Sequence, residues 1–172
     1  MRVHRSDRSL AVWACLSIFA LMAGCAENVC RPECSRGTNL GCDLDGGPIT
    51  TGSYPGRVLA VNFWACWCRP CALQLAALDS LQADYGDRVK VIAVNCDRDR
   101  AVVRRFLDNH PLSILITLDP AGTVVRSFGV ITIPTDVVVD EGGSVYPVTV
   151  GYHPGLSAMR AKIDSLLASP DH

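Results

Sequence analysis

The 172-residue sequence predicts an α/β protein with a central mixed β-sheet flanked by helices. Three observations carry this. Apolar runs rich in β-branched residues at positions 57–63, 89–95 and 113–118 read as buried strands. Stretches with helical spacing separate them, so the centre of the sheet is parallel. Two late strands joined by Glu141-Gly142-Gly143 read as a hairpin, which adds an antiparallel edge.

Taken in order, Arg2, Arg5 and Arg8 give a cationic start, and residues 10–23 then run without a charge. That run is long enough for the core of a secretion signal and short of the ~20 residues a membrane-spanning helix needs. Residues 26–40 read as a polar linker holding Cys30 and Cys34. Residues 43–48 read as a hairpin turn leading to a short strand. The strand at 57–63 follows. Residues 70–85 have helical periodicity, with Leu73, Ala77, Leu81 and Tyr85 four apart. After the strand at 89–95, residues 101–107 read as a helix that ends before Pro111. The strand at 113–118 leads to a turn, Asp119-Pro120-Ala121-Gly122. Strands follow at 135–139 and 144–150. Leu156, Met159, Ile163, Leu166 and Leu167 mark a final amphipathic helix. The order is β-β-α-β-α-β-β-β-α. The boundaries are a signal at 1–24, a tether at 25–40, one folded domain at 41–168 and a tail at 169–172.

Composition narrows the function. Lys plus Arg is 16 and Asp plus Glu is 17, a net charge of −1 with His neutral. No broad single-sign field exists, which argues against a nucleic-acid binder. Hydrophobic residues make up 49% and charged residues 19%, a folded composition. Nine cysteines are many for this length. They point to redox or metal work, or to an oxidising compartment.

The strongest chemical signal is Trp67-Cys68-Arg69-Pro70-Cys71, where a buried strand gives way to a helix. A helix N-terminus carries roughly half a positive charge in its unpaired amides. A Cys68 thiolate there is stabilised, and thiols in such motifs ionise between roughly 3.5 and 7.5. Arg69 adds a fixed positive charge, and Pro70 suits a first turn that needs no amide hydrogen. The spacing lets Cys71 reach Cys68. The chemistry expected is thiol–disulfide exchange, with Cys68 as nucleophile and Cys71 as resolving thiol. A structural disulfide and half of a metal site are the bland alternatives. A zinc site needs a second ligand pair, and no second Cys-x-x-Cys exists, while His110 and His153 stand alone. No metal and no cofactor are expected.

This segment resembles the active-site motif of the thioredoxin superfamily, and within it the membrane-tethered TlpA/ResA-like thiol-disulfide oxidoreductases. The resemblance runs from about residue 41 to 167. It includes Asn62-Phe63-Trp64-Ala65, Val94-Asn95-Cys96-Asp97, Leu118-Asp119-Pro120 and Gly129-Val130-Ile131-Thr132-Ile133-Pro134-Thr135. It implies a thioredoxin-like fold and a cis-proline at Pro134. It also implies that the backbone of Ile133 holds an extended substrate segment and that Pro134 keeps metal off the dithiol. Trp64 and Trp67 are expected to pack around the site, with Trp67 also contributing to the partner surface.

The implied partners are protein thiol or disulfide substrates and a membrane electron-donor protein. Reduction of apocytochrome c thiols is one such role. Two alternatives stand beside it: a copper-binding chaperone of the Sco kind, which wants Cys-x-x-x-Cys in the active loop, and a thiol peroxidase. The sequence departs from the family at carboxylates. Many members carry Glu where this chain has Gln74, and thioredoxins carry Asp where it has Asn62. The pair is therefore expected to titrate without a nearby acid.

Leu21-Met22-Ala23-Gly24-Cys25 resembles a bacterial lipobox, with Met22 where Leu is usual. It implies cleavage before Cys25, lipid on its sulfur and an extracytoplasmic, membrane-anchored protein on the periplasmic side. An ordinary cleaved signal and an uncleaved anchor are the alternatives. Of the other cysteines, Cys30 and Cys34 are candidates to bridge each other or Cys42, and the spacing leaves the pairing open. Cys66 and Cys96 are either two buried small hydrophobes or a disulfide between neighbouring strands.

Overall fold

The structure, a computed structural model, describes residues 36–169. The expected signal segment, Cys25, Cys30 and Cys34 lie outside the described residues. The strands are β1 (Asn39–Cys42), β2 (Pro48–Thr50), β3 (Val58–Trp64), β4 (Val89–Asn95), β5 (Leu115–Leu118), β6 (Thr135–Val139) and β7 (Val145–Val150). The helices are α1 (Arg69–Tyr85), α2 (Arg100–Asn109), α3 (Thr123–Ser127) and α4 (Ser157–Leu167). One seven-stranded sheet has the order β2-β1-β5-β4-β3-β6-β7. β3, β4 and β5 pair in parallel, and every other pairing is antiparallel. The mixed sheet with a parallel centre is therefore as expected.

β3 explains the absence of alternation in its sequence, because both of its faces are covered. Val58, Ala60 and Trp64 pack in one layer with Cys68, Cys71, Leu75 and Leu78 of the active loop and α1. Leu59, Val61 and Phe63 pack in the other, with Val124 of α3. Phe128, just past α3, stands 5.4 Å from Phe63, ring to ring. The same parity operates in β6, where Val138 belongs to the first layer and Val137 and Val139 to the second. Residues at even positions of both strands thus face α1.

Three readings change. The buried stripe of α1 is Cys71, Gln74, Leu75, Leu78 and Leu81, while Leu73 is 58% exposed. Leu81 of the expected stripe is buried and Ala77 and Tyr85 pack against the core, so only Leu73 falls off the covered face. Leu40, expected in the linker, is fully buried in β1. The domain therefore holds on to chain before residue 41: the Thr50 hydroxyl donates to the Arg36 carbonyl at 2.7 Å and Thr38 N–H donates to Thr51 Oγ1 at 2.9 Å. A short helix, α3, follows the turn at 119–122. Asp119 holds its start by accepting from Thr123 N–H at 2.8 Å and Val125 N–H at 2.9 Å. Among the described residues no helix is long and apolar enough to cross a membrane.

Candidate active site

Cys68 is the residue that caps α1, with extended backbone, and Pro70 lies in the first turn. A fixed φ suits Pro to that place, and its missing N–H costs the helix nothing. Cys68 and Cys71 form a disulfide with an S–S distance of 2.00 Å and Cα atoms 5.2 Å apart. Cys71 N–H donates to Cys68 Sγ at 3.3 Å. The helix terminus therefore aims its unpaired amides at the first sulfur. Cys68 is 6% exposed and Cys71 fully buried, so an attacker reaches Cys68 first. Arg69 and Pro70 are exposed beside it.

The Ile133–Pro134 peptide bond is cis. Ile133 packs against the layer that contains Cys68 and Cys71. Trp67, the residue before Cys68, and Ile133, the residue before Pro134, line one open groove of about 360 Å³ together with Cys96, Val130 and Ile131. Trp67 is 75% exposed and Ile131 97% exposed. Both are large apolar side chains left in water beside the buried disulfide. Trp64, by contrast, is fully buried, and its ring lies 5.1 Å from that of Phe106 of α2 in a tilted pair. Of the two tryptophans expected to pack around the site, Trp64 is buried and Trp67 is exposed.

Cys66 and Cys96 are free thiols. Burial, then a hydrogen bond and charge from Asp97, push the Cys66 thiol up to about 12. Burial and the charges of Asp119 and Asp97 push Cys96 up to about 12 as well. Asp97 also accepts from Cys66 N–H at 2.7 Å and Asn95 Nδ2 at 3.0 Å, which ties the active loop to the end of β4. Cys42 is disulfide-bonded.

The sequence has amides at positions 62 and 74, and the structure pairs both with a buried carboxylate. Asp136 of β6 is fully buried, directly opposite Asn62 of β3. Its Oδ1 accepts from Asn62 Nδ2 at 2.7 Å and Gln74 Nε2 at 2.8 Å. Its Oδ2 accepts from Gln74 Nε2 at 2.7 Å and Thr149 Oγ1 at 2.6 Å. Burial raises its pKa above the ordinary carboxylate value, against the three donors and the charge of His153, which lower it. The available signal was an acidic residue inside an otherwise apolar strand two positions after Pro134.

The Redoxin family matches residues 29–167. The chain belongs to the Redoxin family. It is 30% identical over 104 residues to the thiol-disulfide oxidoreductase ResA of Bacillus thuringiensis subsp. konkukian, which is 60% of each chain. It is 34% identical over 99 residues to the thioredoxin-like protein YneN of Bacillus subtilis, 56% of this chain and 58% of that one. The matched segments thus span about 60% of the length of these relatives. Among solved structures, it is similar to a Chlorobium tepidum protein assigned as the thiol:disulfide interchange protein DsbE. There the identity is 28% and the TM-score 0.70, over 78% of this chain and 99% of that one.

The resemblance to ResA-like members of the thioredoxin superfamily is therefore borne out, as is the thioredoxin-like fold. In this redoxin, the tertiary structure gathers Trp67, Cys68, Cys71 and the Ile133–Pro134 loop at one end of the sheet. The expected lipid site, Cys25, is not among the described residues.

Proposed function

We propose that this redoxin is an extracytoplasmic thiol-disulfide oxidoreductase that reduces protein disulfides. The observation that carries the reading is the Cys68–Cys71 disulfide at the head of α1, with Cys71 N–H directed at Cys68 Sγ. On reduction, the helix terminus and Arg69 favour the Cys68 thiolate, and Pro70 keeps the turn in place. Cys68 attacks a partner disulfide, and one partner sulfur leaves as thiolate. Cys71 then attacks Cys68 Sγ, the second partner sulfur leaves, and the pair is oxidised. The buried position of Cys71 supports its assignment as the resolving thiol. Ile133 offers its backbone to an extended substrate segment, Pro134 shapes the loop, and Trp67 covers the apolar flank.

The lipobox-like Cys25 supports a lipid anchor on the periplasmic side of a bacterial membrane. A membrane electron-donor protein then returns the pair to the dithiol. Apocytochrome c is one substrate class that the resemblance of the Cys68–Cys71 motif to TlpA/ResA-like proteins implies. The test is reduction of a disulfide-bonded protein by the reduced full chain, followed as free thiol released. Turnover by the wild type, abolished in Cys68→Ala, is the expected result. Equal turnover by the two proteins would sink the assignment.

A further inference from the structure

A mixed disulfide on Cys68 has two thiols beside it in the chain. Cys71 lies three positions after Cys68, and Cys66 lies two positions before it. Cys68 N–H donates to the Ala65 carbonyl at 3.1 Å, so Cys66 and Cys68 belong to one closed turn. Two residues of chain span at most ~7 Å, and a disulfide joins Cα atoms ~4.4–6.8 Å apart. Cys66 is a free, half-buried thiol that packs against the core layer containing Cys68 and Cys71. Spacing and layer thus allow a Cys66–Cys68 bond as well as the Cys68–Cys71 bond.

The end of β4 distinguishes Cys66 from Cys71. Asp97 Oδ2 accepts from Cys66 N–H at 2.7 Å and from Asn95 Nδ2 at 3.0 Å. Asn95 Oδ1 accepts in turn from Asp97 N–H at 2.9 Å, and Asn95 Nδ2 lies 3.8 Å from Cys66 Sγ. Cys96 N–H donates to the Trp64 carbonyl at 2.8 Å, which locks this strand end to β3 just before the turn. The carboxylate is therefore fixed against Cys66. Holding the loop needs only an acceptor for Cys66 N–H, and a neutral amide would supply one. The negative charge does something more. After burial, the hydrogen bond and charge of Asp97 are what push the Cys66 thiol up. The titratable groups around Cys66 are Asp97 and, in the same layer, the Cys68–Cys71 pair.

We propose that Asp97 selects the resolving thiol: its carboxylate holds the proton on Cys66, so that a mixed disulfide on Cys68 is released through Cys71. This rests on the oxidoreductase reading above. The suppressed reaction begins when Cys66 S–H gives its proton to solvent base. The Cys66 thiolate attacks Cys68 Sγ, and the bond from Cys68 to the partner breaks. The partner leaves as a thiolate and is reduced. Cys66 and Cys68 are oxidised to a disulfide by the same two electrons, and Cys71 is left as a thiol. Asp97 acts through Cys66 and touches no substrate, so it is a positioning residue.

The test uses the full chain carrying Cys71→Ala, loaded with glutathione on Cys68, and reads glutathione release near pH 8. With Asp97 in place, release is expected to be slow. Asp97→Asn keeps an acceptor for Cys66 N–H and removes the charge. Added to Cys71→Ala, it is expected to speed release about tenfold and to leave a Cys66–Cys68 disulfide, read by peptide mass spectrometry. Further addition of Cys66→Ala is expected to restore the slow rate. Unchanged release in folded Asp97→Asn, or fast release that survives Cys66→Ala, overturns the proposal. A second measurement leaves Asp97 untouched. The infrared difference between the oxidised wild type and Cys66→Ala isolates the Cys66 S–H stretch. That band is expected at the lowered frequency of a thiol bonded to a carboxylate, and the frequency of an unbonded thiol overturns the proposal. Failure of the parent reading looks different: the wild type would then reduce no protein disulfide, while the S–H band keeps its lowered frequency.

Discussion

The backbone N–H of Cys71 donates to the sulfur of Cys68 across 3.3 Å, so the amide of the proposed resolving residue points at the sulfur proposed to attack. The two cysteines are made unequal by this one contact and by the deeper burial of Cys71. Cys71→Ala is therefore expected to leave Cys68 reactive and to accumulate mixed disulfides with substrate proteins. Cys68→Ala is expected to trap none. Non-reducing gels of the two variants read this directly, and equal trapping would mean that the roles are misassigned.

The two free thiols are expected to stand aside from this chemistry. Near pH 8 an ordinary thiol of pKa 9.0 is about one-tenth thiolate, whereas one at about 12 is about a thousandfold less ionised. Iodoacetamide near pH 8 should label Cys68 in the reduced protein and leave Cys66 and Cys96 unlabelled, as peptide mass spectrometry will read. Their pKa values are raised on folding, so the stability they support is intact below about pH 9 and lost as pH rises towards about 12. The urea midpoint should fall above about pH 9, and Cys66→Ala with Cys96→Ala should flatten that fall.

Gln74 donates to both oxygens of Asp136, so its replacement by an acid has a defined sign. In Gln74→Glu two carboxyl groups face each other in a buried layer, and one must hold a proton. The variant should lose about 2 kcal/mol of stability near neutral pH through the lost charge-assisted bonds. The loss should shrink in acid, where the proton is supplied freely. Urea denaturation near pH 7 and pH 4 measures it, and a loss that grew in acid would contradict the cluster's geometry.

Trp67 and Ile131 are exposed on the groove beside the disulfide and hold little of the core. Trp67→Ala combined with Ile131→Ala should leave the urea midpoint unchanged. It should raise KM for a protein disulfide roughly tenfold, because each side chain loses apolar area on contact. The rate with 2-hydroxyethyl disulfide, a small substrate with no side chains to place in the groove, should barely change. An equal loss on both substrates would assign these residues to the chemistry and not to docking.

Much of this molecule is local in origin and so is legible in its sequence. The central strands announce themselves by unbroken β-branched runs, because a strand covered on both faces has no polar side. The site announces itself through Cys68-Arg69-Pro70-Cys71, since capping, a first-turn proline and disulfide reach all act within four residues. Pro134 was legible from the string around it. What stayed hidden depends on partners distant in sequence. β1 is four residues long and takes its stability from β2 and β5. Its Gly41 has φ +93°, and a Cβ there would lie 2.6 Å from the Leu118 carbonyl oxygen, a contact no local pattern reveals. The covered face of α1 was also undecided until the sheet chose it. Asp136 is the sharpest case. Residues 62, 74 and 136 belong to three separate elements, and only the pairing of β3 with β6 under α1 makes them one cluster. The sequence alone determined which sulfurs pair at the head of α1, because that geometry is set within one helical turn. Only the tertiary structure decided which carboxylate meets Asn62 and Gln74, because burial and hydrogen bonding between distant elements are properties of the packed chain.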